Sequence, residues 1–203
     1  MMDIRPTDAL IVIDVQNDFC AGGALAVPDG DAVVEPIMEL QSKFDTVVYT
    51  QDWHPSDHSS FASQHEGKNP LETIELSYGT QVLWPDHCVS GSHGAAFHKD
   101  LDVNAAQMII RKGFRSAIDS YSAFFENDQV TPTGLEGYLK SRNIDRVFLC
   151  GLATDFCVYY SALDAVKSGF EAVLISGACR GIDLGGSLSA TLEDMKAKGV
   201  EII

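Results

Sequence analysis

The sequence predicts an α/β fold: a doubly wound, mainly parallel six-stranded sheet with helices on both faces. Near-continuous apolar runs, too dense for strands wet on one side, alternate with amphipathic segments between several of them. Several chemically loaded residues also fall directly after such runs, where ligands gather in open parallel sheets.

The first strand is expected over 9–15 (Ala-Leu-Ile-Val-Ile-Asp-Val), and helical spacing follows over about 31–43. Strand-like runs recur at 46–50 and 107–111. A helix is expected over about 133–142, then a strand over 146–152. The segment 155–168 reads as a helix through Phe156, Val158, Tyr159, Leu163 and Val166, with Asp155 as its capping or first-turn residue. A strand over 171–176, a helix over about 187–198 that stops at Gly199, and a strand over 200–203 complete the six. No repeat or low-complexity linker divides the chain, so residues 1–203 read as a single domain. Its one anomaly is an irregular loop over about 52–99, too long for an ordinary connection and therefore a functional candidate.

Composition narrows the function. With 203 residues, 45% hydrophobic and 21% charged, the chain can build a substantial core. A net charge of −15 makes nucleic acid and anionic membranes poor partners, and keeping the protein soluble is enough to account for it. No apolar run approaches the ~20 residues of a membrane span. The acidic start (Met-Met-Asp-Ile-Arg-Pro) does not look like a signal peptide. Five scattered cysteines without a CxxC pair fit a reducing cytoplasm rather than a disulfide framework or zinc finger. Self-association is compatible with all of this.

Four positions carry chemistry at the expected strand ends: Asp14, the Asp52-Trp53-His54 pair, Lys112 and Cys157. Cys157 falls in the first turn of its helix, where free N–H groups and the helix dipole favour a thiolate of lowered pKa; the competing reading is a buried structural cysteine. Asp14 is placed to take the thiol proton and Lys112 to stabilise the charges, while the turn 151–157 offers backbone N–H donors for an oxyanion. Asp52 and His54, at i and i+2, share one side of an extended segment, and His87 can return from the far end of the loop. Two histidines and a carboxylate suit one divalent metal, zinc first, with iron or manganese also accommodated; a hydrogen-bonded turn is the alternative. His58 and Ser60 lie nearby, whereas His65, His93 and His98 read as solvated loop residues.

These residues resemble the isochorismatase-like cysteine hydrolases, and within them the nicotinamidases. The resemblance spans essentially the whole chain, through Asp14-Val-Gln-Asn-Asp-Phe19, Gln51-Asp-Trp-His-Pro55, Trp84-Pro-Asp-His-Cys-Val89, Arg111-Lys-Gly113, Gly151-Leu-Ala-Thr-Asp-Phe-Cys-Val158 and Met195-Lys-Ala-Lys-Gly-Val200. It implies the isochorismatase-like hydrolase fold and a catalytic triad of Asp14, Lys112 and Cys157. It also implies metal ligands Asp52, His54 and His87, with Ser60 at the position of a further family histidine, acting directly or through water. A cis peptide at Leu152–Ala153 would aim the N–H groups of Ala153 and Cys157 into an oxyanion hole, and Phe19 and Trp84 would pack the substrate. The implied reaction is hydrolysis of nicotinamide to nicotinate and ammonia through a cysteine thioester, in NAD salvage, with pyrazinamide as a second substrate. Another amide or carbamoyl hydrolase of the same superfamily is the alternative.

Overall fold

The computed structural model describes residues 3–203. Strand β1, Asp8–Ile13, is buried along its whole length, as is β2, Thr46–Asp52, so both faces of the sheet's centre are covered. Between them lies α1, Val34–Gln41. The helix expected from residue 31 begins instead as a separate 3-10 turn, Gly30–Val33. Pro36 then sits in the first turn of α1, where its missing N–H costs no helix bond.

The stretch after β2 is less irregular than the sequence suggests. It carries a small antiparallel hairpin of β3, Thr73–Leu76, and β4, Gly79–Val82. Four-residue strands of mixed polarity give no apolar run to detect. Beyond it come β5, Met108–Lys112, and α2, Leu135–Ser141.

Strand β6, Arg146–Leu152, leads into a π-helical turn, Thr154–Val158, before α3, Tyr159–Lys167. The predicted single helix over 155–168 is therefore two pieces, with Cys157 in the wider one. Strand β7 runs further than expected, Glu171–Arg180, because a register shift after Leu149 lets Cys179 and Arg180 pair with Gly151 and Leu152. Helix α4, Ser187–Ala197, and the short β8, Glu201–Ile202, close the fold. No helix among the described residues is long and apolar enough to cross a membrane.

The six-stranded sheet has the order β5-β2-β1-β6-β7-β8, and every neighbouring pair is parallel. The chain walks outward from β1 through β2 to β5, then returns to lay β6 on the other side of β1. That reversal makes the carboxyl ends of β1 and β6 the topological switch point, where crevices form. The two strands meet closely there. Gly151 has φ 111°, and a Cβ on it would strike the Ile13 backbone. At the opposite end, the buried Asp8 carboxylate accepts Arg146 Nη2–H at 2.6 Å and Nε–H at 2.9 Å, fixing the register of β1 against β6.

Candidate active site

Four adjacent strands, β5, β2, β1 and β6, deliver Lys112, Asp52, Asp14 and Cys157 to one buried point. Asp14 follows β1 with φ 47°, a left-handed conformation that turns its carboxylate out of the strand direction. Thr50 on β2 holds it there: its hydroxyl donates to Asp14 Oδ1 at 2.6 Å and accepts the Asp14 N–H at 3.1 Å. Lys112 Nζ lies 2.7 Å from Asp14 Oδ2, donates to the Ser120 carbonyl at 2.9 Å, approaches Cys157 Sγ at 3.4 Å and pairs with Asp52 Oδ1. One oxygen of Asp14, one of Asp52 and Cys157 Sγ all lie within 4.8 Å of one another. The Leu152–Ala153 peptide entering the Cys157 turn is cis, as the resemblance implies.

Burial dominates the electrostatics. It pushes the Asp14 carboxyl up to about 6 against the pull of Lys112. Burial acts on Asp52 in the same sense, but Lys112 and then His54 outweigh it and hold this carboxyl well below the usual range. Lys112 stays firmly charged, because Asp14 and Asp52 overcome the cost of burying an ammonium. The thiol departs from expectation: burial raises Cys157 well above an ordinary cysteine, and Lys112 only partly offsets this. The expectation of a lowered thiol pKa is corrected accordingly. The thiol is buried at the floor of the pocket, so the desolvation of a thiolate outweighs what a helix start supplies.

Asp52, His54 and His87 are all buried, with one ligand atom each within 4.8 Å of the others. Their orientation fits a cation. His54 Nδ1–H donates to the Gly113 carbonyl at 2.8 Å and His87 Nδ1–H to the Pro85 carbonyl at 2.8 Å, so each ring turns its Nε2 toward Asp52 Oδ2, at 3.6 and 4.0 Å. Gly113, with φ 65°, leaves the space that His54 occupies; a Cβ there would strike the imidazole. Burial, then His54, pushes His87 down to about 4, keeping its nitrogen lone pair available near neutral pH. Asp119 joins from the segment after β5, within 4.8 Å of His54 and His58 donor atoms. Three buried carboxyl groups thus meet in this site: Asp14 and Asp52 pair with the buried Lys112 ammonium, and Asp119 stands beside the two histidines. A divalent cation supplies the positive charge such a cluster needs.

Ser60 is buried beside this group, and its hydroxyl hydrogen goes to His58 Nδ1 at 2.7 Å. His58 Nε2–H in turn donates to the Ile118 carbonyl at 3.3 Å. Trp84 and Phe19 line a narrow pocket over Cys157 together with Tyr121, Phe156 and Ile182. Trp84 Nε1–H donates to Tyr121 Oη at 3.0 Å, and its ring packs edge-on against Phe156 at 4.9 Å. His98, expected in solvent, instead lies 3.3 Å from Asp31 through Nε2. His65 likewise bonds the Ser59 carbonyl at 2.8 Å.

Sequence reasoning passed over Asp119 and Tyr121, which sit in a segment without periodicity, and Thr50, hidden inside a strand. It also gave no role to Gln16, which is fully buried. Its amide donates to the Asp52 and Ala95 carbonyls at 2.8 and 2.9 Å and accepts the Asp52 N–H at 2.8 Å. A glutamine beside a strand-end aspartate was its only trace in the sequence.

The chain is similar to known proteins along nearly its whole length. The nicotinamidase of Acinetobacter baylyi is 55% identical over 195 residues, 96% of this chain and 91% of that protein. Among solved structures, PnC1 from L. infantum in complex with nicotinate is 40% identical with a TM-score of 0.87, covering 100% of this chain and 95% of that one. The pyrazinamidase of Pyrococcus horikoshii in complex with zinc is 37% identical with a TM-score of 0.79, covering 98% and 99%. The isochorismatase domain model matches residues 8–203, from the first residue of β1 past every strand end described above. On that match and these identities, the chain belongs to the isochorismatase domain family.

Proposed function

We propose that this chain is a metal-containing nicotinamidase that hydrolyses nicotinamide to nicotinate and ammonia through a thioester on Cys157, and that it accepts pyrazinamide. One observation carries the reading: the Asp14–Lys112–Cys157 cluster and the Asp52–His54–His87 set share a single buried site, both touching Lys112 or Asp52. A divalent cation on Asp52, His54 and His87, zinc by the nitrogen and oxygen donor set, would supply Lewis-acid attraction for the lone pair of the substrate's ring nitrogen. Phe19 and Trp84 hold the ring, and the aromatic walls exclude water.

Because the thiol is not ionised at rest, its proton leaves as it attacks. Asp14 takes the Cys157 proton while Sγ bonds the amide carbon, and Lys112 balances the charge passing from sulfur to carboxylate. The N–H groups of Ala153 and Cys157 receive the oxyanion. Asp14 then hands its proton to the amide nitrogen, the C–N bond breaks and ammonia departs. A water gives a proton to Asp14 as its oxygen bonds the carbonyl carbon. The C–S bond breaks, and Asp14 returns that proton to sulfur, releasing nicotinate. With all five cysteines free and buried, the protein suits a reducing cytoplasm, where this reaction would feed NAD salvage.

The test is ammonia release from nicotinamide by purified protein, before and after chelation and with zinc, manganese or iron returned. Loss on chelation and recovery with metal supports the reading. Absence of turnover in folded, metal-loaded protein refutes it and moves the search to other small amides.

A further inference from the structure

The turn following β1 opens a second cleft of about 440 Å³, lined by polar groups including Asn17, Asp18, His93 and His98. Three segments bring Cys20, Asp31 and His98 together on its wall, with one sulfur, one carboxylate oxygen and one ring nitrogen within 4.8 Å of one another. Donor atoms around a tetrahedral zinc, at bonds of about 2.0–2.3 Å, sit roughly 3.3–3.8 Å apart, so closure requires movements of at most about 1 Å. The Asp31–His98 edge is already at 3.3 Å.

Each donor is held by its own backbone setting. Asp31 Oδ2 accepts the Ala21 N–H at 2.8 Å, which leaves Oδ1 facing His98 Nε2. The His98 N–H is tied to the Val15 carbonyl at 3.0 Å, anchoring that residue to the end of β1. Cys20 is 2% exposed, yet its thiol has no hydrogen-bond partner among the described residues. A buried sulfur without a partner, beside a carboxylate and an imidazole, is the arrangement a borderline-soft cation completes.

We propose that Cys20, Asp31 and His98 form a second metal site, separate from the catalytic one, for a divalent cation of the zinc and cadmium class, with its fourth position open to the cleft. Binding expels the thiol proton, because thiolate is the ligand form. His98 must present a bare Nε2, which moves its ring proton to Nδ1. In the structure Nδ1 instead accepts the Asp100 N–H at 3.3 Å, so metal binding has to bring the Asp100 carboxylate, now 3.9 Å away, closer to take that proton. Lys99, paired with Asp100 at 2.7 Å, is the cation nearest this exchange.

Cadmium titration of the full-length protein, carrying one equivalent of zinc, tests the site. Native mass spectrometry counts ions, and ultraviolet absorption follows thiolate-to-cadmium charge transfer. The expected result is one cadmium beyond the zinc, with the band. Cys20→Ser should abolish both, His98→Ala and Asp31→Asn should weaken cadmium at least tenfold, and Cys88→Ser should change neither. If wild type and Cys20→Ser take equal numbers of ions with equal bands, the sulfur belongs to another cysteine and the proposal is overturned. Should Cys20→Ser misfold by circular dichroism, unaltered cadmium affinity in the two cleft-wall variants overturns it equally. Because the readout counts ions rather than turnover, it stands or falls apart from the nicotinamidase reading.

Discussion

The proposed reaction turns on Asp14, which is both enclosed and poised. With its carboxyl pushed up to about 6, it is a base matched to a reluctant thiol rather than a fully committed anion. It must be deprotonated to act, so kcat/KM should be flat above about pH 6 and fall about tenfold per unit below it, a slope Asp14→Asn removes along with about 10²–10⁴-fold of the rate. Cys157→Ala should abolish turnover with an unchanged circular dichroism spectrum; residual turnover there would rule out a thioester. These residues were legible because each strand-end position carries an unusual side chain. Thr50 and Gln16 were not, because they act through hydrogen bonds that only strand pairing creates. Gln16 brackets the Asp52 peptide on both its N–H and carbonyl. Gln16→Ala should therefore loosen metal retention about 10–100-fold in a chelator competition, in proportion to other supports of metal ligands.

At the scale of elements, the strands follow from composition, since fully buried parallel strands leave unmistakable apolar runs. What composition concealed was how elements are joined. The π-helical turn at Cys157 has the same apolar spacing as an α-helical start, and the hairpin of β3 and β4 lacks a run altogether. Asp155 is such a joint. Its carboxylate accepts the N–H groups of Ile182 and Asp183 at 2.9 and 2.8 Å and the Ser187 hydroxyl, tying the Cys157 turn to the start of α4 and to the pocket wall. Asp155→Asn should cost about 2 kcal/mol, read in urea unfolding, with faster amide exchange at Ile182 and Asp183. The Asp8–Arg146 clamp gives a second case. Burial would raise the Asp8 carboxyl, but Arg146 and Arg5 outweigh it and lower it. A folded value below the unfolded one means stability that is complete above about pH 4 and is lost as pH falls through the lowered value. Asp8→Asn should thus destabilise by about 3 kcal/mol at neutral pH, with the difference from wild type shrinking in acid.

The whole molecule is strongly acidic, and its site gathers three buried carboxyl groups in one place. Filling that site should be felt globally: free metal at a hundredfold excess over Kd should add about 2.7 kcal/mol to folding, visible as a melting temperature that chelation lowers. The order of the sheet has one more consequence, in time rather than space. β1 lies between β2 and β6, and Asp8 pairs with Arg146. At about 5–20 residues per second of synthesis, roughly 7–28 s separate those two residues as they leave the ribosome. Throughout that interval β1 lacks its β6 neighbour, and by the time Lys112 emerges, Asp14 and the proposed metal ligands Asp52, His54 and His87 have been made. From Lys112 onward the growing chain carries every residue of the proposed cation site, but not the strand that closes the seam beside it. Cys157, the proposed nucleophile, follows directly on β6, so the thiol is made only after the strand that closes the seam.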